Sequence, residues 1–317
     1  MLYLTTRDNT DAYTAHKALT QMCGPDGGQF VPFRLPEMES AEITTLMEKP
    51  FGQIVADILN RFFSLRLTGW DVDCCIGRTP VRIVSMNHKI LIAELWHNLD
   101  GKYDYFVTSL YKIANPDSEN APTVWFRIVA RIAILFGFYS EMLKTQSISV
   151  DECFDISVPT GDFSVPMAAW YCRKMGLPIS TIICTNKENN TVWDLIHRGS
   201  FNPVTADDDL TSGVEHLIYA TLGNDAVQSY LSKVGSGRIY SVSDESFQCI
   251  SSGFFCSVAG DTRAETVMSS IYRTNQYLVD PETALLYGGL QDYRAKYGDS
   301  RVTVILAEAS PKDHRSL

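Results

Sequence analysis

Zinc-type cysteine spacing is missing from this sequence. Its eight cysteines include no Cys-x-x-Cys pair, and its six histidines include none at ligand spacing, so no metal site is expected. Cys74-Cys75 is the only close pair, and it reads as two buried or half-buried free thiols. Free cysteines in this number fit a reducing compartment. Basic charge is also scarce: 27 Lys+Arg stand against 37 Asp+Glu, a net charge of −10. No Lys/Arg cluster offsets that balance locally, which argues against a nucleic-acid partner, because phosphate neutralisation needs a basic face. Long hydrophobic runs are absent too. The longest, Ile132 to Tyr139, is too short to span a bilayer. The opening residues carry charges early, at Arg7 and Asp8, with no apolar stretch behind them, so no signal peptide is expected. A soluble, cytoplasmic protein with no membrane partner is the expectation. Repeats and low-complexity tracts are likewise missing.

What is present is an ordinary globular balance: 317 residues, 45% hydrophobic and 20% charged, enough chain for one large domain or two smaller ones. Phe51 to Leu65 repeats apolar residues at helical spacing. Val81–Val84 and Ile90–Ala93 read as short strands around an Asn87-His88-Lys89 turn. Residues 98–122 are polar and broken by Asn115-Pro116, which predicts a loop with a modest helix inside it. Thr123 to Lys144 is apolar on most of its circumference, the mark of a core helix. Arg127 and Arg131 lie four apart on one of its faces, either snorkelling to the surface or contacting an anion. Beyond Phe154 the pattern alternates: strand at Ile156–Val158, helix at Pro166–Met175, strand at Ile179–Cys184. That is a parallel crossover. A helix at Thr283–Lys296 and a strand at Val302–Ala307 complete an α/β class.

In such sheets ligands sit beyond the carboxyl ends of the strands. The turn Thr160-Gly161-Asp162-Phe163-Ser164 is in that place and runs into a helix N-terminus, where free N–H groups attract anions. Asp162 counts against anion binding if its carboxylate points inward.

Several segments resemble threonine synthase. Tyr3-Leu4-Thr5-Thr6-Arg7 and Gly24-Pro25-Asp26-Gly27-Gly28-Gln29-Phe30-Val31-Pro32 are similar to that family's Ser-Thr-Arg-Gly and Ala-Pro-Asp-Gly-Gly-Leu-Phe-Val-Pro. Val158-Pro159-Thr160-Gly161-Asp162-Phe163 resembles its Val-Pro-Thr-Gly-Asn-Phe-Gly-Asn phosphate loop. Leu278-Val279-Asp280-Pro281-Glu282-Thr283-Ala284 resembles its Asp-Pro-His-Thr-Ala. The motifs come in family order and cover most of the chain. The resemblance implies a tryptophan synthase beta-like fold of type II. It divides the chain into an N-terminal region, 1–88, and an α/β core, 89–317. It also implies pyridoxal phosphate as cofactor, held by Thr160, Gly161, Asp162, Phe163, Ser164 and Glu308. The family enzyme, a carbon–oxygen lyase of amino-acid biosynthesis, converts O-phosphohomoserine and water to threonine and phosphate, and it needs a lysine to capture the cofactor's aldehyde.

The chain departs from that pattern at the chemistry-bearing positions. In the stretch matching the family's His-Gly-Pro-Thr-x-Ala-Phe-Lys-Asp, counted from His97, the lysine position holds Asp104; Lys102 is two residues early and Lys112 eight late. Lys102 is the first candidate for a relocated lysine. Only residues 106–122 fill the interval where the family has its small substrate domain, and its Ser-Gly-Asp-Thr-Gly loop is absent. Ser164 and Val165 replace a Gly and an Asn of the phosphate loop. Glu308 stands where a Thr neighbours the pyridine nitrogen. The expectation is a protein not competent for threonine synthesis that keeps a cleft for a small anionic or amino-acid-like ligand. An active lyase or transferase using Lys102 and an interaction subunit, completed by a second copy in a homo-oligomer, are the alternatives. His88, His197 and His216 read as turn or surface residues, the five tryptophans as packing residues, and Asp207-Asp208-Asp209 as a solvated loop or helix start. Tyr287-Gly288-Gly289 marks close helix packing.

Overall fold

The structure is a computed structural model that describes residues 1–76, 82–95, 103–187, 190–298 and 301–311. The chain opens with a three-stranded antiparallel sheet of β1 (Leu2–Thr5), β2 (Tyr13–Thr14) and β3 (Phe30–Pro32), with β1 in the middle. Helix α1 (Ala15–Thr20) starts on Thr14, whose hydroxyl accepts the Lys17 N–H, as an N-cap should. Helices α2 (Ser40–Met47), α3 (Phe51–Phe63) and α4 (Gly69–Ile76) follow. The helical spacing seen in the sequence is the buried face of α3: Ile54, Val55, Ile58, Leu59, Phe62 and Phe63 are all in the core.

The second layer is a six-stranded sheet in the order β10-β7-β6-β11-β5-β4. Strand β4 (Arg82–Asn87) forms an antiparallel hairpin with β5 (Ile90–Glu94). Next come α5 (Tyr103–Ala114), α6 (Val124–Lys144), β6 (Phe154–Pro159), α7 (Ser164–Lys174) and β7 (Ile179–Asn186). The chain continues with α8 (Thr191–Arg198), β8 (Ser200–Phe201), α9 (Asp208–Leu222), α10 (Asn224–Val234), β9 (Tyr240–Ser241) and α11 (Asp244–Ser251). It ends with β10 (Phe254–Val258), α12 (Asp261–Asn275), α13 (Pro281–Tyr297) and β11 (Thr303–Ala307). Strands β5, β11, β6, β7 and β10 are parallel neighbours, so the α/β expectation holds. Between β5 and α6, where the family's small domain was expected to be largely missing, the described residues hold the single helix α5.

Side chains alternate across the sheet, and both faces are covered. On β7, Ile182 and Cys184 enter the core built with α6 and α7, whereas Ile183 enters the one built with α12 and α13. This explains the unbroken apolar runs of the strands, since a parallel sheet buried on both sides needs no polar face. Helix α6 is buried nearly all round. Thr123 caps it by accepting the Phe126 N–H, and Gly137 leaves room for the Phe51 ring, which a Cβ there would meet at 2.4 Å. Gly289 does the same for α13, where a Cβ would lie 2.0 Å from Thr185 Oγ1; the Gly288-Gly289 expectation of close packing is met there. Among the described residues no helix is long and apolar enough to cross a membrane. The cysteines are free; Cys75, Cys172, Cys184 and Cys256 are buried, whereas Cys74, on α4, is exposed and not buried or half-buried as expected.

Candidate active site

The carboxyl ends of β5, β11, β6 and β7 share one edge of the sheet, and the 160–164 turn and Glu308 follow two of those ends. Thr160 follows β6, with its N–H on the Thr185 carbonyl at 3.1 Å. Its side chain is buried, and its hydroxyl has no hydrogen-bond partner. Gly161 adopts φ +45°, and a Cβ on it would meet nothing within 4 Å, so the loop opens into free space at that point. Phe163 is the N-cap of α7 at φ 66° and is fully buried. A left-handed conformation in a bulky residue is uncommon; burial of the ring against Phe254, 6.0 Å away between centroids, holds it. The helix starts at Ser164, two residues before the position expected from Pro166, because this turn feeds directly into it.

An α-helix begins with unsatisfied N–H groups, and at α7 most are already used. Asp162 Oδ1 accepts both the Ser164 N–H at 3.0 Å and the Ser164 hydroxyl at 2.5 Å. The Phe163 N–H donates to the Thr160 carbonyl at 2.8 Å. Pro166 has no N–H, and Met167 donates to the Phe163 carbonyl at 3.1 Å. The Asp162 carboxylate therefore points inward, onto the helix end. Behind it α9 presses close: a Cβ at Gly213 would lie 2.0 Å from the Asp162 carbonyl oxygen. The crevice between them, lined among others by Val124, Ile128, Asp162, Ser164 and Gly213, has a volume of only about 30 Å³.

Two ion pairs flank the loop. Glu308, directly after β11, faces Arg131 of α6 at 3.9 Å, both largely buried. Arg127, one turn earlier on the same face of α6, is half-buried with no carboxylate partner among the described residues. At the end of β5, Glu94 is fully buried and accepts Arg82 through both oxygens, Nε at 2.8 Å and Nη2 at 3.0 Å. The Tyr277 hydroxyl also donates to Glu94. Burial first, then the neighbouring carboxylate, pushes the Tyr277 phenol well above its ordinary range. The Arg82–Glu94–Tyr277 group was not anticipated. The hairpin register, which sets Arg82 opposite Glu94, was the available signal for its first two members.

His216 corrects an expectation. It is buried, not a surface or turn residue, because the same stretch of α9 buries Val214, Leu217 and Ile218. Its ring stacks on Trp125 at 5.7 Å, and both nitrogens are engaged. Tyr171 Oη lies 2.7 Å from Nε2 and Gln29 Oε1 3.3 Å from Nδ1, while Gln29 Nε2 donates to Ser212. Burial pushes the imidazole down to about 3, so it is neutral. Tyr171 then donates to Nε2, and Nδ1–H donates to Gln29. One residue earlier, Glu215 accepts the Thr6 hydroxyl at 2.5 Å and Arg7 through Nε at 3.1 Å and Nη2 at 2.9 Å. The Thr5-Thr6-Arg7 and Gln29 motifs thus anchor the N-terminal sheet onto α9, behind the loop. His197 is half-buried against the Cys256 backbone at 2.9 Å. Asp207 is the N-cap of α9, the helix start expected of the acidic triplet.

Lys102 lies outside the described residues, as do His97 and the residues between them. None of the described lysines is buried. Lys187, just beyond β7, is more than half exposed and pairs with Asp261 at 2.9 Å; Lys112, on α5, is exposed.

Residues 2–79 match the family described as threonine synthase N terminus. Human threonine synthase-like 1 is 22% identical over 174 residues, covering 51% of this chain and 23% of that protein. Threonine synthase of Corynebacterium glutamicum is 26% identical over 176 residues, covering 50% of this chain and 36% of that protein. The chain thus spans about a quarter of the length of the first curated relatives it matches, at 23%. Among solved structures, the PLP-bound threonine synthase from Brucella melitensis superposes with a TM-score of 0.80 at 16% identity, covering 99% of this chain and 89% of that one. The yeast threonine synthase gives 0.80 at 17% identity, covering 98% and 87%. The chain thus has the fold of the threonine synthase structures, and its residues 2–79 match that family's N-terminal region.

Proposed function

We propose that this threonine synthase-like chain does not make threonine and uses the carboxyl edge of its sheet to bind a small anionic or amino-acid-like ligand. The observation that carries the reading is Arg127: a half-buried guanidinium with no carboxylate partner among the described residues, one turn from the Arg131–Glu308 pair. At the carboxyl edge of the sheet, after β6, Thr160 presents a buried hydroxyl with no partner among the described residues, and a buried polar group of that kind favours a ligand that satisfies it. An arginine fork suits a carboxylate or phosphate.

Pyridoxal phosphate, named in the Brucella structure, would supply an aldehyde for amine capture and an electron sink for carbanion chemistry. The 160–165 loop does not fit its phosphate. The Asp162 carboxylate already takes the Ser164 N–H and hydroxyl, and Pro166 offers no donor. No step of the proposed function runs through that group.

The test is twofold. Purified protein supplied with pyridoxal phosphate and O-phosphohomoserine should release neither threonine nor phosphate above background; release that is abolished by Lys102→Ala would establish the lyase reading instead. Titration with inorganic phosphate and with a panel of amino acids should reveal a ligand whose affinity falls at least about tenfold in Arg127→Ala, the loss of one charge-assisted contact. Binding that is indifferent to Arg127 would refute the cleft.

A further inference from the structure

Two charged groups of the chain lie beside the positions that the family resemblance assigns to a cofactor's charges. The Asp162 carboxylate sits on the N-terminal N–H of α7 and on the Ser164 hydroxyl, a place that favours a negative group. Across the same edge, the Arg131 guanidinium faces Glu308, which follows β11 directly. Each has the sign of the cofactor group it would displace: an anion at the helix end, a cation against the carboxylate. We infer that the cleft is internally charge-compensated, with Asp162 in the place of a phosphate and Arg131 in the place of a protonated ring nitrogen, so that the chain folds without pyridoxal phosphate and rejects it. This rests on the reading of the cleft given above but makes a separate claim, about exclusion rather than ligand choice.

The physical reason is desolvation together with like charge. A phosphate brought to α7 must displace a carboxylate that already holds the Ser164 N–H and hydroxyl, or sit beside it at the same helix end, where two anions repel. A ring nitrogen approaching Glu308 must compete with a guanidinium already largely out of water. Removing both charges should therefore uncover affinity, which a merely degenerate site would not do.

The probe is pyridoxine 5′-phosphate, whose alcohol cannot form an imine with surface lysines. Binding is measured by calorimetry in an Arg127→Ala background, so that the proposed ligand contact does not contribute, and near-ultraviolet circular dichroism verifies the fold. The parent should show no saturable binding and no shift of its thermal midpoint with added probe. Asp162→Asn, which keeps the side-chain shape, should bind measurably, and Asp162→Asn with Arg131→Gln should bind at least about tenfold tighter than the single variant, in line with the strength of a nearby like charge. Should the double variant not fold, the single variant alone decides. Parent binding as tight as that of Asp162→Asn overturns the inference. That result without threonine formation leaves the proposed function standing, whereas threonine formation by a chain that rejects the probe removes the proposed function alone.

Discussion

Glu215→Ala tests how the N-terminal sheet is held to the rest of the molecule. The carboxylate is buried, at 2% exposure, and collects three hydrogen bonds: one from Thr6 and two from Arg7. Removing one partner of a fully buried pair costs about 3–5 kcal/mol. The Arg7 side chain is one-third exposed and can turn towards water, so the charge need not stay buried and unpaired. The Thr6 hydroxyl is buried and cannot escape in this way; leaving it unsatisfied costs about 1–3 kcal/mol. The expected loss is therefore about 2–3 kcal/mol, read from urea unfolding as a midpoint lowered by roughly 1 M at a slope of about 2–3 kcal/mol/M. Arg7→Ala should cost less, because Glu215 keeps Thr6. The double variant supplies the coupling between the two, expected above about 1 kcal/mol. Additivity within 0.5 kcal/mol, roughly the scatter of independent sites, would refute the anchor.

His216 gives a pH signature. Its folded value of about 3 lies below the ordinary 6.5, so the unfolded chain binds a proton that the folded chain does not. This contribution to stability is complete above pH 6.5 and falls by about 1.4 kcal/mol per pH unit as pH drops towards 3. His216→Gln should therefore flatten the stability curve below pH 6 by close to one proton; an unchanged slope would show that the imidazole protonates in place. Gly213→Ala should displace the 160–163 loop and cost about 1–3 kcal/mol by overpacking, since the new Cβ would fall 2.0 Å from a backbone oxygen. A variant as stable as the parent would mean that α9 is free to retreat.

Much of the sheet was legible because its strands are short apolar runs between clear turn signals. The Asn87-His88-Lys89 turn and the strands flanking it became the β4–β5 hairpin. The Ile156–Cys184 crossover became β6, α7 and β7, with boundaries shifted by no more than two residues. Helix α6 was legible from sheer apolarity. The stretch from Gly199 to Tyr277 was read far less well: α10, α11 and α12 are amphipathic helices with many exposed polar positions, and Phe254–Val258, which forms β10, was not read as a strand. At the site, motif order located the loop, but only coordinates reveal that Asp162 turns inward. His216 was misjudged because a neutral, doubly hydrogen-bonded histidine has no signature of its own; its partners, Gln29 and Tyr171, are 187 and 45 residues away.

The position of β11 has a further consequence. It lies between β6 and β5, so the last of the described strands to be synthesised fills an interior position of the sheet. Until residue 307 has been synthesised, the β10-β7-β6 half and the β5-β4 hairpin each expose a backbone edge to any passing strand. Assembly of the sheet during translation must therefore wait for this strand, and removing it would split the sheet into two adhesive halves rather than trim its margin.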